Sequence, residues 1–189
     1  TVNPIPTVVD PLDQTLCSGV MTSAVNFSGS VAGTTYTWTN NTPSIGLAAS
    51  GSGNIASFAA TNGGTSPVVA TITVTPSVNG CVGTAQTFTI TVNPIPTVVD
   101  PADQTLCSTA STTAVNFTGS VAGTTFNWTN DTPSIGLGAS GTGPIASFTA
   151  TNAGTSPVTA TITVSPTVNG CTGSSQTFTI TVNPMPTVT

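Results

Sequence analysis

The first ten residues of the chain, Thr1-Val2-Asn3-Pro4-Ile5-Pro6-Thr7-Val8-Val9-Asp10, return unchanged at Thr91 to Asp100. Residues 1–90 and 91–180 agree at 70 of 90 positions, and the pattern starts a third time at Thr181-Val182-Asn183-Pro184-Met185-Pro186-Thr187. A period of 90 is a whole domain, longer than the roughly 20–50 residues of a solenoid unit. Each copy must therefore close a core of its own. The expected organisation is repeat 1 over residues 4–93 and repeat 2 over residues 94–183. Residues 1–3 and 184–189 then read as the ends of neighbouring repeats, and the chain as a segment of a longer array.

Within each copy the apolar period is two, which is the period of a strand with one face buried. Ala70-Thr71-Ile72-Thr73-Val74-Thr75 and Thr87-Phe88-Thr89-Ile90-Thr91-Val92 alternate without a fault. Ala24-Val25-Asn26-Phe27-Ser28 and Thr35-Tyr36-Thr37-Trp38-Thr39 predict two more strands, and Ile45-Gly46-Leu47 and Ile55-Ala56-Ser57-Phe58-Ala59 two weaker ones. Gly, Pro and Asn clusters separate them, and no stretch carries a helical stripe. About seven short strands in 90 residues predict an all-β chain of two tandem immunoglobulin-like β-sandwich domains in a rod-like arrangement. Trp38 and Trp128 should fill the space between the sheets, with Phe27, Phe88, Phe117 and Phe178 around them.

The charge inventory removes whole classes of function. The chain has no Lys, Arg or His, five acidic residues and a net charge of −5. Nucleic-acid binding needs cations to displace counterions from phosphate. Polybasic attachment to membranes needs the same cations. A Ser or Cys nucleophile would have no His or Lys to activate it, so no enzyme is expected. No apolar run approaches the length of a membrane-spanning helix. Hydrophobic residues at 37% and a mean hydropathy of +0.30 argue equally against disorder.

Each repeat has two cysteines, Cys17 and Cys81, then Cys107 and Cys171. Neither zinc-ligand nor redox C-x-x-C spacing occurs. One bridge within each domain is the expected pairing, with bridging between neighbouring chains as the rival. Either implies an oxidising, extracellular setting. The joint Asn93-Pro94-Ile95-Pro96 has no Gly/Ser spacer, and two prolines one residue apart predict a stiff interdomain connection.

The unit of Thr15-Leu16-Cys17-Ser18, Tyr36-Thr37-Trp38, Ala70-Thr71-Ile72-Thr73-Val74 and Phe88-Thr89-Ile90-Thr91-Val92-Asn93-Pro94-Ile95-Pro96 resembles PKD-like, immunoglobulin-type repeats. Such tandem repeats fill giant secreted surface proteins of Bacteroidota, of adhesin or gliding-motility type. Many PKD domains follow the Trp with a Phe-Gly-Asp-Gly turn, whereas Trp38-Thr39-Asn40-Asn41 and Trp128-Thr129-Asn130-Asp131 stand here. The resemblance implies a stalk, adhesive or fibre role at the cell surface or outside the cell, and carries over no catalytic residue.

Three surface features invite functional readings. Asp10 with Asp13, and Asp100 with Asp103, place two carboxylates near each domain entrance, where calcium could be held; turn formation is the simpler role for them, and no other cofactor is expected. The rows Thr71, Thr73, Thr75 and Thr87, Thr89, Thr91 form an outward face that ice or a glycan could contact, or that serves only as β-branched strand surface. Asn26, Asn40, Asn116, Asn127 and Asn130 head Asn-x-Ser/Thr triplets. With no Lys to blunt the sheet edges, association with neighbouring repeats and with other copies of the chain is expected. The leading expectation is a structural module of an extracellular filament, fibre or stalk. An adhesin domain binding a glycan, and an accessory module of a secreted hydrolase, are the alternatives.

Overall fold

The computed structural model describes residues 2–186 of the chain. Its core strands follow the period-two runs. In repeat 1 the strands are β1 (Gln14–Cys17), β2 (Thr35–Asn40), β3 (Ser50–Ser52), β4 (Val68–Val78), β5 (Cys81–Val82) and β6 (Gln86–Asn93). Repeat 2 matches it with β7 (Gln104–Cys107), β8 (Thr125–Asn130), β9 (Ser140–Thr142), β10 (Val158–Val168), β11 (Cys171–Thr172) and β12 (Gln176–Asn183). By internal contacts the chain divides into Thr1–Pro94 and Ile95–Thr189, between the two prolines of the joint. The third repeat start reaches Thr187, which lies outside the described residues.

Each repeat builds one sheet in the order β1-β6-β4-β2-β3, with β5 on the far end of β4. All pairs are antiparallel except β1 with β6, which run parallel from Gln14↔Ile90 to Cys17↔Asn93. Ala70 faces Ile90 and Ile72 faces Phe88 across the β4–β6 ladder, while Val74 faces Trp38 on β2. Ala70, Ile72, Val74, Ile90 and Val92 are wholly buried, and the intervening Thr residues point to solvent. Thr and β-branched residues fit this pleated surface because one face packs and the other is wet. Pro76 sits inside β4 without breaking it. Its carbonyl accepts from Gly83 N at 2.9 Å, so the missing N–H falls on the side where β5 is only two residues long.

The opposing layer is less regular than the sequence suggests. Ala24–Ser28 and Ile55–Ala59, expected as strands, meet only at the bridges Met21↔Ala59 and Val25↔Ile55. Backbone bonds such as Thr22 N to Phe58 O and Ala60 N to Val20 O, both 2.9 Å, stitch the rest. Their side chains still close the sandwich: Val8, Val25, Ile45, Leu47, Ile55 and Ala60 are buried against the regular sheet. The expected strand at Ile45-Gly46-Leu47 is instead a 3-10 turn over Pro43–Ile45. Pro43 presets the turn dihedral and Gly46, at φ +98°, takes a left-handed conformation that a strand cannot contain. Each repeat thus has six strands rather than seven. Phe88 and Phe178 are the aromatic centre, with Phe27 and Phe117 half-buried at the margin.

Candidate functional site

Trp38 and Trp128 are core residues, each 8% exposed. Trp38 lies over Gly51 on the neighbouring strand, where a Cβ would stand 2.2 Å from its Cζ2, so only glycine fits opposite the indole. Neither indole Nε1 has a hydrogen-bond partner. An apolar slab with an unanswered N–H is a packing element and offers no ligand platform. Beside it, Asn40 Nδ2 donates to Leu47 O at 3.0 Å and its Oδ1 accepts from Thr42 N at 3.0 Å. Asn40 and Asn130 are buried, which removes them as glycan acceptors in the folded protein; Asn26, Asn116 and Asn127 are exposed.

The segment from Val9 to Gln14 crosses from the irregular layer, where Val9 N donates to Ser28 O at 2.8 Å, to the edge of the regular sheet. An open groove of about 390 Å³ lies beneath this crossing, lined by Asp10, Pro11, Asp13, Gln14 and Asn26 among others. Repeat 2 has its counterpart at Asp100 to Gln104, of about 350 Å³. Gln14 clamps the far wall, donating to Ser23 O at 3.0 Å and accepting from Ser23 N at 2.9 Å. Asp13 Oδ1 accepts from Thr89 N at 2.6 Å, and Asp103 does the same for Thr179 N. That carboxylate extends the parallel ladder by one acceptor beyond the start of β1. Among the described residues no group of three or more His, Cys, Asp or Glu comes together. The calcium expectation therefore has two carboxylates per repeat to draw on, one of them already accepting a backbone N–H.

The outward face of each sheet is a hydroxyl field. Thr71 faces Thr89 and Thr73 faces Thr87 across β4–β6, and Thr75 faces Thr37 and Thr73 faces Thr39 across β4–β2. In repeat 2 the Thr159 and Thr181 hydroxyls bond each other at 2.9 Å. The edges of each sheet are the four-residue β1 and the three-residue β3, so edge strands are kept short where charge is lacking. Asp131 is the charged residue just beyond the end of β8. Bonds from the Thr161 N–H, then from the Thr132 hydroxyl, hold its carboxyl below the ordinary carboxylate value.

The cysteines overturn the expected pairing. Cys81 and Cys107 are free thiols, so neither Cys17–Cys81 nor Cys107–Cys171 forms. The reason is their placement along the sheet. Cys17 lies opposite Asn93, at the end of the sheet where β4 begins with Val68 opposite Val92. Cys81 lies opposite Val78, at the other end of the eleven-residue β4. Eleven residues of strand extend roughly 33 Å, while a disulfide needs Cα atoms within about 7 Å. Of the joint, Asn93 is buried and ends β6; the carbonyl of Pro96 lies where a Cβ on Gly173 would come within 1.7 Å.

This fold, a sandwich of one ladder sheet and one irregular layer made twice along the chain, defines a tandem immunoglobulin-like protein. Residues 14–96 and 104–186 both match the PKD-like domain family, and the chain belongs to that family. Among curated proteins none matches the chain. Among solved structures it is similar to the I-band fragment I67–I69 of titin, at 13% identity and TM-score 0.57, over 97% of this chain and 67% of that one. It is also similar to the IG1+IG2 pair of DIP-gamma, at 8% identity and TM-score 0.51, over 95% of this chain and 98% of that one. Immunoglobulin domains 1–4 of Sidekick-1 match at 11% identity and TM-score 0.50, over 94% of this chain and 48% of that one. These likenesses are of fold. Tandem PKD-like domains are typical of structural or cell-surface modules and typically lack catalysis, and no catalytic family is indicated. A disulfide fits an extracellular protein, and no described helix is long and apolar enough to cross a membrane.

Proposed function

We propose that the chain is a structural repeat of an extracellular filament, fibre or cell-surface stalk, secreted and assembled with its neighbouring repeats and with other copies of itself. One observation carries the reading. At every position where the two repeats differ, the residue is exposed or half-buried in both, and every buried side chain is the same in each. Except for Asn41 and Asp131, the exchanges are between uncharged residues, as in Thr75/Ser165, Val82/Thr172 and Ser52/Thr142. They are scattered along the copy. A domain specialised for a ligand would concentrate its differences, or its charges, at one loop cluster. A repeat whose task is to be a uniform spacer needs a fixed core and an inert surface.

The uncharged hydroxyl faces and short, Lys-free edges supply the surface for lateral association. Sedimentation velocity over a concentration series, with electron microscopy of the most concentrated samples, tests this. Association that grows with concentration supports the proposal; a strictly monomeric chain at the highest attainable concentration removes self-association from it. The adhesin alternative rests on the groove beneath Asp10 to Gln14, present in both repeats. Its measure is binding to a glycan array that Asn26→Ala and Gln14→Ala together abolish.

A further inference from the structure

We propose that Asn79 is a site of spontaneous covalent modification, at which the side-chain amide closes on the Gly80 nitrogen and is then hydrolysed to aspartate or isoaspartate. Asn-Gly occurs three times in the chain, at Asn62-Gly63, Asn79-Gly80 and Asn169-Gly170. A glycine after asparagine puts no side chain in the way of ring closure, so the sequence alone marks all three alike. Within repeat 1 the structure separates Asn62 from Asn79.

The Asn62 amide is locked. Its Nδ2 donates to Ser66 O at 2.9 Å and to Val92 O at 2.7 Å, and its Oδ1 accepts from Gly64 N at 2.9 Å. Asn152 makes the same three bonds in repeat 2, where Ala153 replaces the glycine. That position needs its asparagine for structure and has no need of the Gly. Asn79 is the reverse. It is exposed, and its side chain makes no hydrogen bond among the described residues. A Cβ on Gly80 would meet nothing within 4 Å, so a closing ring and an attacking water both have room. Asn79 and Gly80 form the two-residue return between Val78 and Cys81, at φ +49° and +78°. A return with positive φ at both positions selects Asn-Gly. The requirement that closes the hairpin therefore leaves an unguarded Asn-Gly pair in solvent.

The reaction needs only water. The Gly80 nitrogen gives up its proton and bonds to Asn79 Cγ; the Cγ–Nδ2 bond breaks, and Nδ2 leaves with that proton as ammonia. One water then opens the imide. Addition at Cγ gives aspartate, and addition at the main-chain carbonyl of residue 79 gives isoaspartate. Either product adds a carboxylate to a unit, Thr1–Pro94, whose only acidic side chains are Asp10 and Asp13. Aspartate tolerates the left-handed conformation and leaves the return in place. Isoaspartate puts one more carbon into the main chain of the return. β5 meets β4 only at Ser77↔Val82 and Val78↔Cys81, so the longer return loosens it. This chemistry belongs to one repeat and stands whether or not the chain self-associates.

The test ages the chain in mildly alkaline buffer, folded and in urea. Cleavage at aromatic residues releases one fragment, Ala59 to Phe88, that carries Asn62 and Asn79 together. Mass spectrometric sequencing of it reads amide-to-acid conversion at each. In the folded chain Asn79 should convert at least about tenfold faster than Asn62, because three hydrogen bonds hold the Asn62 amide. In urea the two rates should converge. Isoaspartate methyltransferase should label the fragment from aged folded chain, and Asn79→Gly, which keeps the positive-φ return, should remove that label. Asn62 converting as fast as Asn79 in the folded chain overturns the proposal. So does an Asn79 that reacts in urea and stays intact when folded, or a label that persists in Asn79→Gly. In the isoaspartate fraction the Gly83 N–H, bonded to Pro76 O at 2.9 Å, should exchange faster than in fresh chain; an unchanged rate overturns the loosening of β5.

Discussion

Asn41 and Asp131 occupy the same place in the two repeats and make the same two hydrogen bonds with different charge. Asn41 Oδ1 accepts from Thr71 N and from Thr42 Oγ1, each at 2.8 Å. Asp131 Oδ1 accepts from Thr161 N and Thr132 Oγ1, also at 2.8 Å. The first repeat is thus a built-in neutral control for the second. Asp131 is held ionised below the ordinary carboxylate value by these donors, so its contribution to stability is present above the unfolded-state value. It is lost as pH falls through the folded-state value. Asp131→Asn should therefore cost stability at neutral pH relative to the native chain, and the gap should close as pH falls below about 4. Paired thermal melts from pH 7 to pH 2.5 measure it; a gap that does not narrow with acid contradicts the assignment.

Gly51→Ala puts a methyl 2.2 Å from Trp38 Cζ2 and should destabilise repeat 1 by ~1–3 kcal/mol through overpacking. Gly63→Ala is the control, because it meets nothing within 4 Å and the second repeat already carries Ala153 there. Its expected effect is neutral or a gain of up to ~1 kcal/mol from the restricted unfolded chain. Urea midpoints of the two variants give the comparison.

Asp13→Ala leaves the Thr89 N–H without its 2.6 Å acceptor. The expected cost is ~1 kcal/mol, read as roughly fivefold faster amide exchange at Thr89. Asp13→Asn keeps a carbonyl oxygen in place and should exchange at close to the native rate. If both variants exchange alike, the carboxylate is not the acceptor that matters.

The unpartnered Nε1 of Trp38 predicts an uneven pair of truncations. Trp38→Ala should cost ~3–5 kcal/mol. Trp38→Phe should cost less than half of that, since it also removes a buried donor whose desolvation is unfavourable by ~1–3 kcal/mol. Denaturant titrations followed by circular dichroism separate the two, and equal losses would show that the indole N–H is satisfied in solution.

The strands legible from sequence are the ones whose partners are also strongly patterned. Ala70 to Thr75, Thr87 to Val92 and Thr35 to Thr39 alternate because each packs one face on a regular ladder. β1 was not legible: Gln14-Thr15-Leu16-Cys17 has a single strong apolar residue and is a strand because β6 templates it in parallel. The opposing layer misled in the other direction. Val25, Ile55 and Phe58 face inward as the pattern says, but the backbone between them bonds only at isolated bridges, which side-chain periodicity does not record. The cysteine pairing was illegible for a third reason. Cys17 and Cys81 look paired in a list of two per repeat, and only the register of β4 reveals that they occupy opposite ends. At the groove, Asp13 was found by its residue type, while its acceptor role depends on Thr89, a partner 76 residues away.

The match between the two sheets has a cost in folding. β6 would meet the same Ala, Ile and Val row on β10 as on β4, for Ala70↔Ile90 and Ala160↔Ile180 are one contact written twice. Side chains therefore give a strand no means of telling its own partner from the neighbour's. Proximity has to supply it: residues 79–85 alone separate β4 from β6, whereas about 65 residues separate β6 from β10. The tight return at Asn79 and Gly80, both at positive φ, acts as an address that keeps each strand at home. Lengthening or loosening that return would invite exchange of strands between adjacent copies.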